Sequence, residues 1–195
     1  MKKIHPHFSR IAHKYKDLRT TDAEPILSIK RKLRKSNTIE AADVGCGVGR
    51  YVIELFHHLG EMLRLTCIDY NRGMLNELTK NLRKHKIKNF KTINASAMAL
   101  PLADNSLDAV FTFNAIHHFN FSHFLEEVSR VLRNNGYLFI YSRLRSQNKR
   151  NIWGKFFPKF HEKEKRLYEL SELKEMVCKV PSLRIKSTEY FKYKR

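Results

Sequence analysis

The chain has 195 residues, a length suited to one hydrophobic core, because single cores stop growing only beyond roughly 250 residues. Hydrophobic residues make up 42% and aromatic residues 11%, which excludes an intrinsically disordered chain despite a mean hydropathy of -0.51. The net charge of +19, from 38 Lys and Arg against 19 Asp and Glu, either solvates helix faces or favours contact with phosphates and anionic head groups.

No run approaches the roughly 20 apolar residues of a spanning helix, and the N-terminal "MKKIHPHFSR" has no apolar segment of the signal-peptide kind. A cytoplasmic location is the expectation. Cys46, Cys67 and Cys178 are odd in number and have no CxxC spacing, so all three are expected reduced, with no disulfide framework, zinc ribbon or other metal site.

In chain order, "DAEPILSIKRKLRK" (22–35) places Ile26, Ile29 and Leu33 at helical spacing behind a capping-type Asp22. "IEAADVGC" is a short apolar run that stops at glycine, and "RYVIELFHHLG" has helical periodicity and ends at Gly60. "RLTCIDY" reads as a second strand, "MLNELTKNLRKH" as a helix, "FKTINAS" as a third strand and "SLDAVFTFNAI" as a fourth. "SHFLEEVSRVLRNNG" reads as a helix ending at Gly136, and "YLFIYSR" as a fifth strand. The periodicity fails from Arg143 to His161, where basic residues mix with Trp153, Phe156, Phe157 and Phe160. "ELSELKEMVCKV" is then a helix starting at Ser171, and "LRIKSTEYFKYKR" a sixth strand. This alternation predicts an α/β, Rossmann-like, doubly wound and mainly parallel sheet with helices on both faces.

The segment "AADVGCGVGRYV" sets Gly45, Gly47 and Gly49 between a strand and a helix, where a bare backbone admits a close ligand and the helix N-terminus offers free N–H groups. Asp43 precedes the glycines, and Asp69 closes the next strand 24 residues after Gly45, the place of a carboxylate that accepts from both ribose hydroxyls. A dinucleotide fingerprint requires glycine at position 50, which is Arg50, and no Gly-Lys-Ser/Thr follows for a phosphate loop.

These residues resemble the class I S-adenosylmethionine-dependent methyltransferases, whose first motif, acidic-x-G-x-G-x-G, is matched by Asp43, Gly45, Gly47 and Gly49. "ASAMALPLADNSLDAVFTFNAIHHF" resembles a second family segment, and its "HHF" is similar to that of quinone-biosynthesis C-methyltransferases of the type 11 branch. The resemblance implies S-adenosylmethionine as cofactor. It implies a loop through Gly45, Cys46, Gly47 and Gly49 around the amino-acid part, Asp69 and Tyr70 at the ribose side, Ala97 and Met98 about the adenine, and Asn114 beside the methionine moiety. Ser96 stands where the family often has Asp, so a neutral hydroxyl replaces a carboxylate.

"FSRIAHKYKDLR" resembles the branch's N-terminal lid and implies Tyr15 and Arg19 near the methionine carboxylate or the substrate, although Phe8, Ile11 and Tyr15 also read as a plain apolar stripe. His117 and His118 follow the fourth strand, and either acts as base toward the acceptor or fills the simpler roles of capping the next helix and packing. His5, His7, His57 and His58 read as surface residues.

The domain reading is one unit over 1–195: a lid or helical region (1–35), a cofactor-binding core (36–142), and a substrate-side segment with a terminal helix and strand (143–195). The family's seventh strand has no counterpart in the sequence, which raises a homodimer through an exposed sheet edge. Three functions stay open: methyl transfer to a small-molecule acceptor, methylation of tRNA or another RNA reached through the basic surface, and an inactive, truncated relative. "RLRSQNKR" beside a strand tip, and the likeness of "GCGVGRY" and "AIHHF" to wobble-uridine carboxymethyl tRNA methyltransferases, carry the second.

Overall fold

The structure, a computed structural model, describes residues 21–34, 37–150 and 166–191. The elements in order are α1 (Glu24–Leu33), β1 (Ile39–Val44), α2 (Arg50–Leu59), β2 (Leu63–Asp69), α3 (Arg72–Lys84), β3 (Phe90–Asn94), β4 (Leu107–Phe113), α4 (Phe121–Val131), β5 (Leu132–Tyr141) and α5 (Leu170–Cys178). Short 3-10 turns occupy Gly60–Met62, Ile116–His118 and Arg145–Arg150.

The five strands form one sheet in the order β3-β2-β1-β4-β5, with every pairing parallel. Chain order reverses between β1 and β4, and in such sheets the ligand crevice opens beyond the carboxyl ends of the strands at that reversal. The central strands are buried on both faces, so "IEAADV" and "LDAVFTF" read as nearly continuous apolar runs. On one face Ile26, Ile29 and Leu33 of α1 join Val52 and Leu55 of α2 and Leu78 and Leu82 of α3; burying each such side chain stabilises the fold by about 2 kcal/mol. On the other face Phe121, Phe124, Leu125, Val128 and Val131 of α4, with Val177 of α5, cover Ala42, Val44, Ile68 and Val110.

The expected α/β, doubly wound parallel sheet is present, with five strands among the described residues rather than six. The expected sixth strand (183–195) is, over its described residues 183–191, irregular chain without sheet pairing. Its Glu189 instead accepts from Ser28 Oγ (2.9 Å) and lies 3.8 Å from Arg31, while the Phe191 ring meets Tyr141. Side-chain contacts to α1 and to the end of β5 thus place this stretch in lieu of a backbone ladder. Residues 192–195 lie outside the described residues, as do 1–20, with Tyr15, Arg19, His5 and His7, and 151–165, with Trp153 and the three phenylalanines.

Three boundaries differ for local reasons. Asp22 does not cap α1, whose N-cap is Ala23; its Oδ2 accepts from the Tyr141 hydroxyl at 2.8 Å, tying the start of α1 to the tip of β5. Helix α4 stops at Val131, not Gly136, because the backbone N–H groups of Asn105 and Ser106 take the carbonyls of Arg130 and Val131. The following Asn135 adopts φ +65° in a bulge between Leu132, paired with Leu107, and Tyr137, paired with Ala109. Helix α5 is capped by Glu169, whose carboxylate and that of Glu172 close a reciprocal capping box, leaving Ser171 inside the helix.

Candidate functional site

The glycines sit at the carboxyl end of β1, and their three roles differ. Gly45 has φ +77°, and a Cβ built on it would lie 2.5 Å from Ala115 Cβ and 2.9 Å from Phe119 Cζ. The loop after β4 is therefore pressed directly onto the loop after β1. Gly49 caps α2 in the left-handed region and faces Leu78 of α3, 3.0 Å from its Cγ, so it serves helix packing. A Cβ on Gly47 would meet nothing within 4 Å. At Gly47 the bare backbone faces open space, as a ligand cradle requires.

Asp69 holds that loop. Its Oδ2 accepts from Gly47 N at 2.9 Å and its Oδ1 from Asn71 N at 2.8 Å. A carboxylate offers about four lone-pair sites, so these bonds orient Asp69 without exhausting its capacity to accept from a ligand. The Asn94 amide donates to the carbonyls of Asp69 (2.9 Å) and Tyr70 (2.8 Å), and Asn71 caps α3 by accepting from Met74 N. Tyr70, between them, is an exposed aromatic at 63%. Asn71 and Asn94 were not singled out in the sequence; asparagine at two adjacent strand ends was the available signal.

Asp43 is buried, and its Oδ1 has no hydrogen-bond partner among the described residues. Burial, reinforced by the charge of Asp69, pushes its carboxyl well above the usual carboxylate range. Desolvation likewise raises the Cys46 thiol, with Cys67 beside it. All three cysteines are free, and among the described residues no group of His, Cys, Asp or Glu could hold a metal ion.

After β3, Ser96 Oγ accepts from Met98 N at 3.2 Å, which closes a tight turn around the buried Ala97. The next residues are clamped by Arg130 of α4. Its guanidinium donates to the carbonyls of Leu100 (2.8 Å) and Leu102 (2.7 Å) and to the carboxylates of Asp104 and Glu127, while Glu127 accepts from Leu100 N. Arg130 and a backbone N–H hold the Glu127 carboxyl below its ordinary value. This clamp was missed, although Glu127 and Arg130 at i,i+3 opposite "LPLAD" was a legible signal.

Asn114 ends β4 at φ +53°, a conformation asparagine tolerates, with its N–H bonded to Tyr141 O at 2.7 Å. His117 and His118 follow in the 3-10 turn with ring centroids 4.0 Å apart. Neither caps α4: that is done by Asn120, which accepts from His123 N. His57 and His58 lie partly exposed beside Glu54 on α2. The structure therefore gathers Asp43, the glycine loop, Asp69, Tyr70, Ser96 to Met98, Asn114 and the histidine turn at one end of the sheet.

The family model described as "Methyltransferase domain" matches residues 42–140. A demethylmenaquinone methyltransferase of Bacillus cereus is 26% identical over 145 residues, covering 69% of this chain and 59% of the relative, so the chain spans under two thirds of that relative's length. A SAM-dependent methyltransferase structure from Aquifex aeolicus aligns with TM-score 0.63 at 21% identity, over 82% of this chain and 88% of that one. An N-methyltransferase from Haemonchus contortus, solved with phosphomonomethylethanolamine and S-adenosylhomocysteine, aligns with TM-score 0.63 at 19% identity, over 80% and 36%. By the sequence it shares with that family, seated on the fold those structures share, the chain belongs to the methyltransferase-domain family.

Proposed function

We propose that the chain is an S-adenosylmethionine-dependent methyltransferase acting on a small-molecule acceptor. The observation that carries this is the pairing of Gly47, bare and facing open space, with an Asp69 carboxylate already oriented by the Gly47 N–H. The unpartnered Asp43 oxygen fits a cationic amino group nearby. Bound S-adenosylmethionine supplies an electrophilic methyl on a sulfonium, and such a displacement needs little acid-base help from the protein.

The remaining work falls to this chain's residues. Asp69 accepts ribose hydroxyls, Tyr70 packs beside the nucleoside, and Ala97 with the Met98 side chain borders the adenine. The Met98 N–H is spent on Ser96, so the adenine edge meets a neutral turn rather than a carboxylate. Asn114 borders the amino-acid part. His117 and His118 lie on the acceptor side, where an imidazole takes up a proton released by the acceptor. The Bacillus relative's name supports a ring-type acceptor of quinol character.

Methylation of RNA is the second reading, favoured by basic side chains that lack acidic partners, described below. Incubation with methyl-labelled S-adenosylmethionine, a panel of quinols and phenols, and total RNA separates the two. Label in a solvent-extractable product is expected; label in RNA alone selects the second reading, and label in neither overturns both.

A further inference from the structure

We propose that the corner formed by the end of α3 and the exposed edge of β3 is a docking surface for the phosphodiester backbone of RNA. Between Glu77 and Asp104 the chain carries no acidic residue, and within residues 83–91 it places Arg83, Lys84, Lys86, Lys88 and Lys91. All five are exposed. Several cations elsewhere are matched: Lys80 with Glu77, Arg64 with Glu40, Arg130 with Glu127 and Asp104, Arg133 with Asp108, Arg145 with Glu172. None of the five has a carboxylate within ion-pair distance among the described residues. Five of the chain's cations thus stand together here without local neutralisation.

The backbone gives an independent sign. Helix α3 ends in a Schellman motif: Ile87 N donates to Leu82 O (3.0 Å) and Lys86 N to Arg83 O (2.9 Å), with Ile87 packed on the core beside Leu82. The left-handed position of this motif favours glycine, yet it is held by Lys86 at φ +59°. A lysine kept in a strained conformation, amid four other exposed cations, points to work done by its ammonium group.

The surroundings select the partner. The apolar face of α3, Met74, Leu75, Leu78 and Leu82, is buried in the domain, so the helix has none to insert into a bilayer. The polar edge of β3 continues the strip with exposed Lys91, Thr92 and Asn94, rising about 17 Å toward the end of the sheet where the glycine loop lies. Cations clustered where a helix end meets a polar strand edge match successive phosphates. The inference is independent of methyl transfer and needs no cofactor.

The test is fluorescence anisotropy of a labelled single-stranded RNA of about 20 nucleotides with the full chain, as a function of salt. Removing Lys84, Lys86 and Lys88 together as glutamines should weaken binding at least about tenfold and reduce the log K against log salt slope by about 2, near 0.7 per lost phosphate contact. Equal charge removal from α1 and its C-cap (Lys30, Lys32 and Arg34 to Gln) should change affinity less than about threefold if the site is local. Lys86→Gly should raise the melting temperature, by relieving the left-handed strain, and weaken RNA binding at once. Unchanged RNA affinity in the triple variant, equal loss in the α1 control, or loss confined to phosphatidylserine vesicles would each overturn the proposal.

Discussion

The two halves of the sheet are organised by different means. On the β3-β2-β1 side the backbone itself builds the site: three glycines in the left-handed region, a carboxylate bonded to main-chain N–H groups, and asparagines joining the strand ends. On the β4-β5 side, side chains do it: the Arg130 clamp on the 100–104 loop, the Asp108 carboxylate accepting from Glu40 N and Arg133, and the Tyr51 ring stacked on Phe113 at 4.4 Å. A main-chain site has a narrow choice of sequence, whereas a side-chain scaffold can be met in many ways. The cofactor end is therefore recognisable by motif, and the acceptor end is not.

Changes on the first side should break ligand binding and changes on the second should break stability, with Gly45, at the seam, doing both. Gly45→Ala should have the largest effect. It combines a left-handed alanine with clashes against Ala115 and Phe119, costing about 3 kcal/mol in denaturant titrations and displacing the loop. Arg130→Ala should follow at about 2 kcal/mol, because it releases two backbone carbonyls and leaves Glu127 without its cation. Its cofactor affinity should fall only several-fold, through a looser turn at Ser96. Gly47→Ala should cost only about 1 kcal/mol of stability, since its Cβ enters open space, yet lower S-adenosylmethionine affinity at least about tenfold. That reversal between Gly45 and Gly47 is the sharpest form of the comparison.

Asp43 gives the smallest and most pH-dependent effect. Its carboxyl is raised by burial, so the folded state holds the proton more tightly than the unfolded chain. Its contribution is full below the unfolded value, near 3.8, and is lost as pH rises toward the higher folded value. Asp43→Asn should therefore flatten the fall of melting temperature with rising pH above 4, while weakening the cationic ligand. A slope identical to that of the parent would refute the burial argument.

Much of the fold was legible because parallel βαβ units repeat two periodicities, and β1 to β4 with α1 to α3 fell within a few residues of their expected places. Two of the misses share a cause: a tertiary contact replaced the expected local or sheet partner. Asp22 joined Tyr141 instead of capping α1, and residues 183–191 met α1 and Tyr141 by side chains instead of adding a strand. At the site, the glycines and Asp69 were readable from spacing, but their separate duties were not, because Gly45, Gly47 and Gly49 differ only in what stands opposite them. The histidine turn was foreseen as a location, and the Asn120 cap beside it was not.

The central claim is that Asp69 and the bare backbone at Gly47 hold S-adenosylmethionine. Calorimetric titration of the cofactor into the parent chain, Asp69→Asn and Asp69→Ala tests it most directly. Micromolar binding by the parent and a loss of about a hundredfold in both variants, with their folds intact by circular dichroism, is the expected result. No binding by a folded parent chain, or equal binding by all three, would contradict it.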